Sequence, residues 1–71
     1  MTKRAKEYRS KVSECLMNKY GLNEIESMKA IRNSYLNVSL ERYPDETTHD
    51  DIEMNADNVY EDYKFPQLMR M

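Results

Sequence analysis

Cys15-Leu16-Met17-Asn18-Lys19-Tyr20-Gly21-Leu22-Asn23-Glu24-Ile25-Glu26 is the stretch whose reading decides the fold. Within it one helical pattern ends, the chain turns, and another helical pattern begins. Upstream, Ala5, Tyr8, Val12, Cys15 and Leu16 recur at spacings of three, four, three and one. At about 100° per residue these side chains fall within roughly 50° of one direction, the signature of a helix with one buried face. Gly21 is the only glycine in the chain, and it stands where a helix needs a left-handed residue to stop. Lys19, in the last turn, suits the negative end of the helix dipole. Asn23 then offers a side-chain cap, and Glu26 three residues on can reach back to it, the pattern of a capping box. These signals predict a first helix over residues 3–20 and a second from residue 24. Gly21-Leu22-Asn23 would join them as an αα-hairpin.

Further along, Ile25, Met28, Ile31, Tyr35 and Val38 form the expected apolar stripe of the second helix, widened by Leu36 and Leu40. Asn33, Ser34, Asn37 and Ser39 are poor helix formers, so a break falls near Asn37 and the helix ends before Pro44. Pro44-Asp45-Glu46-Thr47-Thr48 reads as a turn. Thr48, with Asp51 three residues later, is the expected cap of a third helix over residues 49–63, whose stripe is Ile52, Ala56, Val59 and Tyr63. Pro66 stops any continuation and leaves residues 64–71 as a tail. Phe65, Leu68, Met69 and Met71 in that tail are apolar enough either to fold back over the core, the favoured expectation, or to insert into another chain. No stretch alternates with period two, and one glycine does not supply the turns of a β protein. The expected fold is all-α: a small three-helix domain over residues 1–63, with an N-terminal αα-hairpin and a short C-terminal tail.

Seventy-one residues make a single domain. A chain this short buries only roughly 60% of its extended surface, so it gains from outside help. Cys15 is the only cysteine and His49 the only histidine. An internal disulfide is therefore excluded, as is the four-ligand Cys/His set of a structural zinc. Oligomerisation or a bound partner remains, and a homodimer is one expectation. No apolar run approaches the ~18 residues of a membrane span. The basic start Met1-Thr2-Lys3-Arg4-Ala5-Lys6 leads into no apolar segment of signal-peptide type, and one free thiol suits a reducing compartment, so the expected location is the cytoplasm.

The net charge of -2 conceals a division along the chain. Residues 1–20 carry Lys3, Arg4, Lys6, Arg9, Lys11 and Lys19 against Glu7 and Glu14 alone. Residues 44–63 carry Asp45, Glu46, Asp50, Asp51, Glu53, Asp57, Glu61 and Asp62, with no Lys or Arg among them. Such asymmetry speaks about partners rather than fold. His49 with Asp50, Asp51 and Glu53 resembles a metal or acid–base cluster only superficially. A calcium loop needs a central glycine, and acids in a first helical turn are ordinary dipole complements. Cys15, on the core stripe, reads as a small hydrophobe. A glycine-rich phosphate loop is impossible with one glycine. No enzyme, cofactor or metal is expected. The cations of the first helix do not gather on one face, as a groove-reading helix requires, so nucleic acid is an unfavoured partner. On the third helix, Asp50, Met54, Asp57 and Glu61 follow one another at spacings of four, three and four, opposite the apolar stripe. An apolar anchor ringed by carboxylates is what a surface for a basic partner protein presents.

Tyr20-Gly21-Leu22-Asn23-Glu24-Ile25-Glu26, then Ile31 with Asn33-Ser34, then Tyr43-Pro44-Asp45 with His49, and the closing Ala56, Tyr60 and Tyr63 together resemble a group of small helical proteins. The group belongs to low-GC Gram-positive bacteria and their mobile elements and is largely uncharacterised. The resemblance covers most of residues 15–63 and implies an antitoxin-like interaction protein, with no functional residue carried over. The leading expectation is thus a non-enzymatic bacterial protein that binds a basic partner through Asp50, Met54, Asp57 and Glu61. Two alternatives stand beside it: a compact nucleic-acid-binding regulator using the basic first helix, and a phage or mobile-element anti-defence protein.

Overall fold

Thr2 opens the first helix by accepting the Ala5 N–H at 3.1 Å on its hydroxyl, which satisfies one of the donors that every helix start leaves unpaired. The structure, a computed structural model, describes residues 1–65. Five helices follow in order: α1 (Lys3–Tyr20), α2 (Glu24–Arg32), α3 (Tyr35–Arg42), α4 (Pro44–Thr47) and α5 (Ile52–Lys64). The described residues are all helical or connecting, with no strand among them. None of the helices is long and apolar enough to cross a membrane. Gly21 ends α1 at φ 71, and its N–H bonds the Met17 carbonyl. Both halves of the capping box at the start of α2 are present: Asn23 accepts the Glu26 N–H at 2.7 Å, and Glu26 accepts the Asn23 N–H at 3.1 Å.

The second expected helix, residues 24–40, is two helices. Ser34 breaks it: its hydroxyl donates to the Ile31 carbonyl at 2.7 Å and accepts the Leu36 N–H at 3.2 Å, ending α2 and capping α3 with one side chain. Serine competes with the backbone in this way wherever a helix offers it open groups. The break lies earlier than the expected one at Asn37. The stripe is also corrected. Ser27, Ala30 and Ile31 of α2 and Leu36 and Leu40 of α3 are buried. Ile25 is 79% exposed and Val38 53%, and Met28 and Tyr35 also face outward. The reason is the α1–α2 contact. Ser27 donates its hydroxyl to the Glu24 carbonyl at 2.9 Å, leaving its oxygen to accept from Ser13 at 2.7 Å. Two small, mutually satisfied side chains let the helices approach closely, and this turns the larger residues of α2 away from the core.

A second correction concerns the third expected helix. The expected turn at residues 44–48 is the single helical turn α4, with Pro44 at its start, where its missing N–H costs nothing. The Thr48 hydroxyl donates back to the Pro44 carbonyl at 2.8 Å and so closes α4 rather than capping the next helix. Asp51 takes the cap instead, accepting the Met54 N–H at 2.9 Å, and α5 begins at Ile52 and runs through Lys64. Lys64, expected in the tail, thus belongs to a helix. The tail expectation otherwise falls mainly on residues 66–71, outside the described residues.

Ala5, Tyr8, Val12 and Leu16 of α1 meet Ala30, Ile31, Leu36, Leu40, Ala56 and Val59 in one core. Inside it runs a short polar relay. Tyr35 donates to the Asn55 side-chain oxygen at 2.6 Å, the Asn55 amide donates to the Tyr8 phenol oxygen at 2.7 Å, and Tyr8 donates to the Asp50 carbonyl at 2.8 Å. The relay ties α1, α3, α5 and the α4–α5 connection together. No buried side-chain nitrogen or oxygen among the described residues lacks a partner. Burial is the main cause that raises the Tyr8 phenol above its ordinary pKa. Replacing Asn55 by Ala strips the acceptor from Tyr35 and the donor from Tyr8. The expected cost is about 2 kcal/mol of folding stability, read from the midpoint of urea unfolding. The Tyr8→Phe/Asn55→Ala double variant should lose less than the sum of the two single changes.

Candidate partner-binding surface

Helical phase divides α5 into three strips. Asn55, Ala56 and Val59 face the core and are buried. Directly opposite, at spacings of four and three, lie Met54, Asn58 and Glu61, all exposed. Between these faces, one flank of α5 meets the end of α1. There Lys19 reaches Glu53 at 2.7 Å and Asp57 at 2.9 Å. The Tyr20 hydroxyl donates to the same Asp57 carboxylate. The Tyr20 ring lies almost parallel to that of Tyr60, with centroids 3.8 Å apart, and the Lys19 ammonium sits 5.6 Å from the Tyr20 ring centre. One cation, two carboxylates and two stacked rings thus fix how α5 leans on α1.

The four residues expected to form a partner face are therefore not equivalent. Met54 is 48% exposed and Glu61 is exposed on the same ridge. Asp57 is half-buried and spends its charge on Lys19 and Tyr20. Asp50 precedes the first residue of α5, so helical spacing does not align it with Met54; its carbonyl is the acceptor for Tyr8. Asn58, which the sequence reading passed over, completes the outer ridge. The available signal was its position four residues after Met54.

Elsewhere, an open cleft of about 550 Å³ lies between α1 and the α4–α5 connection, lined by Arg4, Tyr8, Lys11, His49, Asp50 and Asp51 among others. Its walls mix both signs of charge. The His49 Nδ1 is 2.5 Å from the Asp45 carbonyl oxygen, to which it donates. Lys6 and Arg9 line a different groove, beside Met17 and Met28 at the α1–α2 seam. The cations of α1 are thus divided between two sides of the helix. Cys15 is a half-buried free thiol, raised above its ordinary pKa first by burial and then by Glu53. Among the described residues no three His, Cys, Asp or Glu side chains gather closely enough to hold a metal ion.

Electrostatically, the Lys19 cluster couples three shifted groups. Hydrogen bonds from Lys19, then from Tyr20, hold the Asp57 carboxyl below its ordinary pKa. Asp57 and then Glu53 hold the Lys19 ammonium above its own. The bond to Asp57 also raises the Tyr20 phenol. A carboxyl whose pKa is depressed by folding adds stability above its unfolded value, and that stability drains away as pH falls through the lower folded value. Asp57→Asn should therefore lose some stability at neutral pH and show a flatter acid limb below about pH 4 than the parent protein. Thermal unfolding followed across an acid pH series measures this. Parallel acid limbs for the two proteins would mean that Asp57 is not held by the cluster.

No protein-family model matches the chain, and no curated protein or solved structure is similar to it at a significant level.

Proposed function

We propose that this chain is a non-enzymatic interaction protein, antitoxin-like in manner, which works in the cytoplasm by docking a partner protein with a basic surface onto the outer ridge of α5. The observation that carries this reading is Met54: a large apolar side chain, 48% exposed, in the middle of the most acidic part of the chain. A flexible thioether suits an anchor that has to fit a partner's pocket. Glu61 continues the ridge, and residues 44–63 carry Asp45, Glu46, Asp50 and Asp62 as further acids with no Lys or Arg among them. Such carboxylates act mainly on encounter, drawing in a cationic surface before the anchor is buried. Asp57 has a different task. By holding Lys19 and Tyr20 it keeps the ridge at a fixed angle, which lowers the ordering cost of binding.

Affinity capture from a low-GC Gram-positive host tests the reading. Wild-type protein should retain basic partners that Met54→Ala and Glu61→Lys lose, whereas Lys6→Glu, on the α1–α2 side, should retain them. Met54→Ala should weaken binding by about tenfold or more, the scale of an apolar hot spot. Equal recovery of the same partners by all four proteins would remove the α5 ridge from consideration.

A further inference from the structure

The outward face of α2 has no covering element among the described residues, and its layout matches that of α5. Ile25, 79% exposed, and Met28, 40% exposed, lead the face, and Lys29 and Arg32 follow as exposed cations. Neither cation forms an ion pair within the described residues. From Ile25 to Arg32 is seven residues, apolar first and cationic last. From Met54 to Glu61 is also seven residues, apolar first and anionic last. On a helix that separation is roughly 10 Å, at about 1.5 Å per residue.

We infer that the occupant of the α2 face is the α5 ridge of a second copy of this chain, laid parallel to it. In that arrangement Met54 of one copy seats between Ile25 and Met28 of the next, and Glu61 reaches Lys29 and Arg32. An antiparallel arrangement would bring Met54 onto the cations and Glu61 onto Ile25, losing both matches. Because the two surfaces differ, the contact is heterologous: a pair of copies leaves one α2 face and one α5 ridge free, so the chains associate head to tail. The inference shares the α5 ridge with the proposed partner surface and gives self-association a role there. A copy whose ridge is covered by another copy's α2 is closed to the partner, and the partner dissolves the assembly by competing for Met54. One ridge on one ridge is a small contact, below ~1,200 Å² in total, so the association is weak and sensitive to salt.

Sedimentation velocity over a concentration series up to about 1 mM, the weak end of measurable affinity, tests this at low and high salt. Wild-type protein should gain mass with concentration and lose at least about tenfold in association constant at high salt. Lys29→Glu/Arg32→Glu should stay monomeric, as should Glu61→Lys. Mixing those two variants should restore association, because the intact ridge of the first meets the intact α2 face of the second, and the two reversed surfaces complement each other. All the substituted positions are exposed, and circular dichroism should report unchanged helix. A wild-type protein that stays monomeric throughout, or reversed variants that associate as well as wild type or fail to rescue each other, would overturn the inference. Partner capture by Lys29→Glu/Arg32→Glu is scored separately. That variant, monomeric with its ridge intact, should still capture the partner that Met54→Ala loses; capture by Met54→Ala as well would speak against the ridge's role in partner binding, while self-association would still stand or fall on the mixing result.

Discussion

The Asn55 amide has to be paired on both of its ends, and much of this small fold is arranged to do so. Its oxygen takes the Tyr35 phenol and its nitrogen serves the Tyr8 phenol, which in turn holds the Asp50 carbonyl. A buried polar group of this kind tolerates few alternative packings, since any slip of α3 or α1 leaves a donor or acceptor dry. The apolar core around it, drawn from Ala, Val, Leu and Ile, would accept several arrangements of short helices. The relay selects among them. It also explains why α3 begins where it does: Ser34 must restart the helix early enough for Tyr35 to reach Asn55 with its hydroxyl while its ring stays partly in water.

A second polar contact sets the spacing rather than the register. The Ser13–Ser27 pair places two of the smallest polar side chains in the buried contact between α1 and α2. The contact spares the core the volume of a larger pair, and it gives Ile25 and Met28 to the surface. The chain exposes apolar side chains on α2, α3 and α5 as a geometric result of which residues were small enough to face inward. Exposed apolar surface on so short a chain is the raw material for association.

The sequence disclosed α1 almost completely, because its signals agree: one stripe, one lysine in the last turn and one glycine behind. The capping box of α2 was equally legible, since both partners lie three residues apart. The middle of the chain was not. Ile25, Met28, Tyr35 and Val38 satisfy a helical period as well as the residues that the core actually takes, and hydrophobicity alone does not forbid their exposure. Thr48 was the expected cap, with Asp51 as its partner three residues on, and Asp51 takes the cap because the one-turn helix α4 claims the Thr48 hydroxyl. Asn55, being polar, falls outside the apolar stripe that the spacing picks out. Its place in the core becomes intelligible only once Tyr8 and Tyr35, distant in sequence, arrive beside it. On the α5 surface, Met54 and Glu61 followed from helical phase. The engagement of Asp57 by Lys19 and Tyr20 is a tertiary fact that no local spacing encodes.

The Tyr20–Tyr60 stack has a consequence for how the molecule can be observed. The chain has no tryptophan and six tyrosines, so its ultraviolet emission comes from phenols alone, with no indole to drain their excitation. One of them, Tyr20, lies face to face with a second ring and is hydrogen-bonded to a carboxylate, two surroundings that darken a phenol's emission. When the end of α1 lifts from α5, both quenchers leave together and the protein brightens. The seam between these two helices therefore carries a built-in optical gauge, readable without a dye or an engineered probe.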